Sequence, residues 1–245
     1  TSVACGYYHT VAIQSPGTLW TWGANGFLQL GINTNIYSNV SSPIQVGSLS
    51  TWTAVTAGAF HTVALQSPGT LWAWGNNSYG QLGINTSTLS NIYSPTQVGL
   101  LSTWSRITAG QYFTNAIQSP GTLWAWGINT FGQLGNYTTT NYSSPVQVTG
   151  GGTSINNWAT VAYGSAHTVA IQSNGTIWAW GSNTYGQLGV GDLTIRLSPV
   201  QMGGSSLWTS IATGANHTLA IQSPGTLWAW GQNNLGQLGL SDNTN

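Results

Sequence analysis

Between residues 43 and 83 the chain runs Ser-Pro, Ile44-Gln45-Val46, Trp52 to Ala57, Thr62 to Gln66 and Thr70 to Trp74, with polar and turn-forming residues between the apolar stretches. These stretches predict four short strands. The third and fourth are joined by Ser67-Pro68-Gly69, in which Pro presets φ and Gly supplies the positive φ of a tight turn; Asn174-Gly175 takes that place further on. Leu71-Trp72-Ala73-Trp74 is apolar on both alternating faces, as a strand is when its sheet is covered on each side. A four-stranded sheet sandwiched between like sheets is a propeller blade, so an all-β propeller is the expected fold.

The pattern recurs. Trp-x-Trp-Gly stands at Trp20 to Gly23, Trp72 to Gly75, Trp124 to Gly127, Trp178 to Gly181 and Trp228 to Gly231, at intervals of 52, 52, 54 and 50 residues. Such a period marks a fold whose units are too small to bury their own apolar faces and stack on like neighbours. The 245 residues are expected to form one repeat domain, with units near 1–42, 43–94, 95–144, 145–198 and 199–245. The first copy lacks the leading Ser-Pro strand, and the last reaches Asn245 just before another should begin. The expected ring is incomplete: a portion of something longer, or one whose missing strand another chain donates.

Each copy reads, with small variations, Ala-Gly-x-x-His-Thr, then Gln-Ser-Pro-Gly-Thr-Leu-Trp-Ala-Trp-Gly, then Asn-x-x-Gly-Gln-Leu-Gly. This order, over the whole chain, resembles the repeat of the regulator of chromosome condensation (RCC1) superfamily, here in an extracellular, low-charge form. Kelch repeats have a similar period but set a double Gly inside a strand, and Gly-Gly occurs here only near 150–152 and 203–204. The resemblance implies four-stranded blades and a structural His, bonded to the backbone of its blade. It also suggests nucleotide exchange on a small GTPase and chromatin binding, but those rely on charged surface residues that this chain does not possess, and they are not expected.

Charge narrows the functions. Only Arg106, Arg196, Asp192 and Asp242 are charged, 2% of the chain against roughly a quarter in an ordinary domain. A surface this neutral cannot neutralise a run of phosphates or an anionic lipid surface, so neither nucleic acid nor direct membrane insertion is expected. No stretch of 18 apolar residues is present. A neutral Ser, Thr and Asn surface tends to associate, so either something else keeps it hydrated or association is its purpose, and both readings point to an extracellular or cell-surface setting. Asn-x-Ser/Thr acceptors stand at Asn39, Asn76, Asn85, Asn136, Asn141, Asn174 and Asn216, about as many as this composition gives by chance. Cys5 is alone, in a register that Ala57, Ala109, Tyr163 and Thr213 fill in the other copies, and is expected to be a small buried filler.

Most candidate chemistry dissolves into the repeat. Trp20, Trp22, Trp72, Trp74, Trp124, Trp126, Trp178, Trp180, Trp228 and Trp230 recur in register and are expected to be structural core; Trp52, Trp104, Trp158 and Trp208 open another strand in step. His9, His61, His167 and His217 share a register too, but Phe113 breaks the set and no carboxylate or thiol accompanies it, so no metal is expected. Asp192 and Asp242 sit on equivalent loops one repeat apart, too far separated for paired acid and base work. No nucleophile elbow or phosphate loop is present, and neither an enzyme nor a cofactor is expected.

The copies differ in the inserts Ile32 to Ser41, Ile84 to Tyr93, Asn136 to Ser143 and Val190 to Leu197. Their aromatic and adaptable polar residues suit partner-binding loops, with Tyr37, Tyr93, Tyr142, Ile195 and Arg196 as candidates. Phe27, Tyr79, Phe131, Tyr185 and Leu235 keep register and are expected to be packed. Residues 149–157 predict an extra-flexible junction. Two functions follow as expectations. One is a non-enzymatic structural or display module of an extracellular surface assembly, fibre or pilus-like, whose partners are other copies of itself or flanking segments of a longer chain. The alternative is a soluble secreted recognition propeller that binds a protein or glycan through its one-sided loops.

Overall fold

In the computed structural model, which describes residues 1–34, 36–86, 88–150 and 156–244, every regular element is a β-strand. The first sheet contains β1 (Ser2–Cys5), β2 (His9–Gln14), β3 (Thr18–Gly23) and β4 (Val40–Gln45). The second contains β5 (Trp52–Ala57), β6 (His61–Gln66), β7 (Thr70–Gly75) and β8 (Ile92–Gln97). The third is β9 (Trp104–Ala109), β10 (Phe113–Gln118), β11 (Thr122–Gly127) and β12 (Tyr142–Gln147). The fourth is β13 (Trp158–Tyr163), β14 (His167–Gln172), β15 (Ile177–Gly181) and β16 (Arg196–Gln201). The fifth has three strands among the described residues, β17 (Trp208–Thr213), β18 (His217–Gln222) and β19 (Thr226–Gly231).

The strands are those the apolar pattern predicts, but they group one step out of phase with it. The Ser-Pro strand closes the sheet before it: β4 pairs with β3, setting Trp20 against Gln45 and Thr21 against Ile44. The first sheet is therefore complete from β1, which contradicts the expectation that copy one lacks a strand. Nearness in sequence misleads here. Only residues 46–51 separate β4 from β5, whereas a long insert separates β3 from β4, yet it is with β3, across the insert, that β4 pairs antiparallel.

The chain divides into two compact units. One holds Thr1–Ser119, Trp124–Ile128 and Asn141–Val146; the other holds Pro120–Leu123, Asn129–Thr140 and Gln147–Asn245. In the first unit the middle strands are covered on both faces, and β6 and β10 are buried over five consecutive residues. Val11, Leu19, Val46, Trp52 and Trp74 form one core between the first and second sheets, and Val63, Leu71, Val98, Trp104 and Trp126 form the next. In the second unit Val169, Ile177, Leu188 and Met202 pack with Ala220 and Trp230. Cys5 is exposed, contrary to the expected buried filler. Its register mates Ala57 and Ala109 are covered because a sheet precedes theirs within the unit, and none precedes β1 there. The core of the 149–157 junction, residues 151–155, lies outside the described residues.

Candidate functional site

The His positions build the frame that presents the loops. Thr62 donates its hydroxyl to the Gln29 carbonyl (2.8 Å), leaving its oxygen to accept from His9 Nε2–H (3.0 Å), so the ring is the neutral Nε2–H tautomer. Trp74 Nε1–H donates to the same Gln29 carbonyl (3.0 Å). One carbonyl thus ties a loop of the first sheet to two side chains of the second, and a His of the first to a Thr of the second. The relay repeats as His61 to Thr114 (3.1 Å) with Thr114 and Trp126 on the Gln81 carbonyl, and as His167 to Thr218 (3.1 Å) with Thr218 and Trp230 on the Gln187 carbonyl. The His is bonded to the neighbouring repeat's side chain and not, as the resemblance implied, to its own backbone. Burial lowers the His9 pKa to about 4; burial, with a further push from His9, lowers that of His61 to about 3, and burial with His217 does the same for His167. Nδ1 of each ring is buried without a hydrogen-bond partner among the described residues, so a second proton would find no acceptor. Phe113 takes the register in the third copy and is wholly buried.

The Asn-x-x-Gly-Gln-Leu-Gly loops are held by their own side chains. Asn77 Oδ1 accepts from Leu82 N–H (3.2 Å) and Gln81 Oε1 from Tyr79 N–H (2.9 Å), and the same pair of bonds recurs around Phe27, Phe131, Tyr185 and Leu235. The loop grips the backbone of the aromatic residue and leaves its side chain out. Phe27 is 38% exposed, Tyr79 37%, Phe131 44% and Leu235 85%, which corrects the expectation that these residues are packed. Register here reports a backbone bond, not burial.

Beside those loops, at the same strand ends, lie the Gly-x-x-His turns. In the first unit the aromatic residues in the middle of these turns are Tyr7, Tyr8, Phe60 and Tyr112, with Ala59 and Gln111 at the other two places. With Phe27 and Tyr79 they form an unbroken track of ring contacts across the three sheets. Phe27 meets Phe60 at 4.6 Å between centroids, Phe60 meets Tyr112 at 6.0 Å, and Tyr112 meets Tyr79 at 5.3 Å. Tyr7 packs edge-on to Phe60 at 5.7 Å and to Tyr8 at 6.3 Å. Tyr8 remains 69% exposed and Tyr7 54%. Burial, then the neighbouring Tyr112 and Tyr8, raises the Tyr7 pKa, so its hydroxyl stays a neutral donor. Ser165, Ala166, Ala215 and Asn216 hold these turn positions in the second unit, so the track belongs to the first. The signal was present in the sequence: the residue before the His register is Tyr8, Phe60 and Tyr112, then Ala166 and Asn216.

The residues expected in partner-binding loops are scattered by comparison. Tyr37 is 55% exposed in the connection from β3 to β4, and Tyr93 is 46% exposed on β8, where its carbonyl accepts from Asn33 N–H. Tyr142 is half-buried on β12 against the second core. Ile195 is exposed before β16, whose first residue, Arg196, is bonded to Asp192 and to the Thr194 carbonyl. Asp192 is held well below the usual carboxylate range by its bond to Arg196 and by the Thr194 amide, and fixes its own loop. Asp242 fixes the equivalent loop by accepting from Thr244 N–H. Among the core tryptophans Trp74, Trp126 and Trp180 are wholly buried, while Trp20, Trp22, Trp72, Trp124, Trp178 and Trp230 are half-buried. Trp228, expected in the core, is 49% exposed, because no strand lies outside β19 among the described residues.

Known proteins place this architecture. The chain is 33% identical over 207 residues to human probable E3 ubiquitin-protein ligase HERC4, covering 83% of the chain and 19% of that protein. It is 32% identical over 200 residues to the ultraviolet-B receptor UVR8 of Arabidopsis thaliana, covering 82% of the chain and 45% of the receptor. The chain therefore spans about a fifth of one relative and under half of the other. Among solved structures it is similar in fold to human WBSCR16, with a TM-score of 0.83 at 23% identity over 99% of the chain and 64% of that protein. It is also similar to yeast RCC1 (Prp20), solved bound to Kap60, at a TM-score of 0.74 and 18% identity over 99% of the chain and 72% of that one. The regulator of chromosome condensation (RCC1) repeat matches residues 16–65, 68–117, 120–171 and 174–221, and with sheets, His relay and glutamine loops all in step the chain belongs to that repeat family.

Proposed function

We propose that this chain is a non-enzymatic recognition module that binds a protein segment on the aromatic track of its first unit. The supporting observation is the row Phe27, Phe60, Tyr112 and Tyr79 with Tyr7 and Tyr8 beside it, six rings in mutual contact on loops anchored by buried hydrogen bonds. Tyr and Phe on a rigid frame supply large contact area at small entropic cost, and the phenol hydroxyls add directional bonds. The track carries no charge, so the fitting partner is an uncharged, extended segment with apolar or proline side chains rather than an acidic or basic one. A protein partner also agrees with the fold's neighbours, since yeast RCC1 was solved bound to Kap60 and Prp20p was solved with its binding to Gsp1p and histones described.

The test is a selection of random displayed peptides on the purified chain, repeated on two variants. Tyr8→Ala with Phe60→Ala should lose the selected binders at least tenfold while keeping its melting temperature within a few degrees. Tyr37→Ala with Tyr93→Ala should keep them. Loss in the second variant alone would return the binding site to the long inserts. Selection of none, with binding on a glycan panel instead, would favour the sugar-binding form of the module.

The second reading, a structural module of an extracellular surface assembly, is favoured by one observation, the 2% charge content. Its partners would be other copies of the chain, and sedimentation over a hundredfold concentration range tests it: growing oligomers support assembly and a constant monomer excludes it.

A further inference from the structure

The three ring-bearing turns are closed by their own backbones. Gly6 N–H donates to the His9 carbonyl, Gly58 N–H to that of His61 and Gly110 N–H to that of Phe113, at 2.9, 2.9 and 2.7 Å. The turns are then chained to one another, since Tyr7 N–H donates to the Ala59 carbonyl and Ala59 N–H to that of Gln111, both at 3.2 Å. The carbonyls of Tyr8, Phe60 and Tyr112 accept from Ala24, Asn76 and Ile128 N–H at 2.7, 2.9 and 3.0 Å. Phe27 and Tyr79 donate their amides to Gln29 Oε1 and Gln81 Oε1, both at 2.9 Å. None of this needs a ring: Ser165 N–H donates to the Ala215 carbonyl, and Ser182 N–H to that of Ala166, around turns without an aromatic residue. The six rings are added to a scaffold that closes without them.

Each of the six track residues thus has one main-chain group engaged, so an added strand, which pairs with both N–H and C=O of every second residue, finds no ladder here. A β-strand or irregular ligand laid over the rings would also leave its own N–H groups on aromatic faces, desolvated and without acceptors. Proline brings no N–H. The side chains, unlike the main chain, keep polar groups to offer: the hydroxyls of Tyr7, Tyr8, Tyr79 and Tyr112 make no hydrogen bond to any other described residue. A polyproline II helix has no internal hydrogen bonds and presents its carbonyls outward, where such hydroxyls meet them. The row Phe27, Phe60, Tyr112 and Tyr79, with steps of 4.6, 6.0 and 5.3 Å, is at most about 16 Å long, room for five residues at the ~3.1 Å rise of that helix.

Given that this track is the chain's binding site, we infer that its occupant is a proline-rich segment in the polyproline II conformation. Its proline rings pack on Phe27, Phe60, Tyr112 and Tyr79, and the hydroxyls of Tyr8 and Tyr112 donate to its carbonyls. Such a segment arrives already ordered, so little conformational freedom is lost on binding. No charged residue lies in the track, which agrees with recognition by ring packing and neutral hydrogen bonds. The second unit, with Ser165, Ala166, Ala215 and Asn216 at the same turn positions, has the closed scaffold without the rings and takes no such ligand.

The probe is a fluorescent peptide, Gly-Pro-Pro-Leu-Pro-Pro-Gly, titrated into the whole chain beside one in which Thr-Val replaces each Pro-Pro. Saturable binding of the proline peptide is expected, at least tenfold tighter than that of its Thr-Val counterpart. Tyr8→Phe with Tyr112→Phe, which keeps every ring and removes two hydroxyls, should weaken the proline peptide at least fivefold at unchanged melting temperature. Because the first comparison alters only the peptide, it stands whatever the substitutions do to folding. Equal binding of the two peptides, or binding of neither at millimolar concentration, overturns the proline-rich occupant, while display-selected peptides that still need Tyr8 and Phe60 would keep the track as the site. Proline-peptide binding that survives Tyr8→Ala with Phe60→Ala overturns the track itself.

Discussion

A single buried His shows how residue chemistry sets solution behaviour. His9, His61 and His167 are neutral in the fold, with pKa values of about 4, 3 and 3, while an unfolded His titrates near 6.5. The unfolded chain therefore binds more protons than the folded one below about pH 6.5. Stability is full above that pH and falls as the pH drops toward the folded values, by up to about 1.4 kcal/mol per pH unit for each His. Thermal melts from pH 7.5 to 4.5 should show this loss, and His61→Phe, which copies the third repeat's own solution, should make the slope shallower. The tryptophans divide in the same residue-by-residue way. Trp74→Ala empties a wholly buried site and strips the Gln29 carbonyl of a donor, at a cost of about 3–5 kcal/mol. Trp228→Ala, at a half-exposed edge, should lose markedly less in a urea titration. Sequence alone ranked these two equally, because register reveals that a position repeats and not whether a neighbour covers it.

The elements owe their stacking to the loops between strands. Gly83 has φ 70°, and a Cβ there would lie 2.6 Å from Trp126 Nε1, the group that donates to the Gln81 carbonyl two residues away. Gly83→Ala should therefore cost about 2 kcal/mol or more, by backbone strain and by displacing the indole. Gly47 has a similar φ of 61° with open space around it, so Gly47→Ala should cost only the strain, about 1 kcal/mol; equal losses in the two variants would count against the loop as the clasp. Strand identity was legible from alternation, and LWAW announced sheets covered on both faces. Strand pairing was not. Nothing in Ser-Ser-Pro-Ile-Gln says whether it joins the strand after its short connection or the one before its long insert. The answer lies in the Trp20 to Gln45 ladder, a contact between distant residues.

At the scale of the molecule, a nearly uncharged surface and an aromatic track bear on the same question. Association through this surface should depend weakly on salt, since 2% charged residues leave little to screen. The neutrality was legible from composition at once. The track was spelled out in Gly-Tyr-Tyr-His, Gly-Ala-Phe-His and Gly-Gln-Tyr-Phe, but only the fold shows that these turns and the Phe27 and Tyr79 loops come to one strand end and touch. Recognition by that track is the central claim, and a hydrogen-exchange footprint of the chain with its tightest selected peptide tests it most directly. Slowed exchange confined to residues 6–9, 25–29, 58–61, 77–81 and 110–113 is the expected result. Protection of the inserts at 32–41 and 84–93, with those turns unchanged, would contradict it.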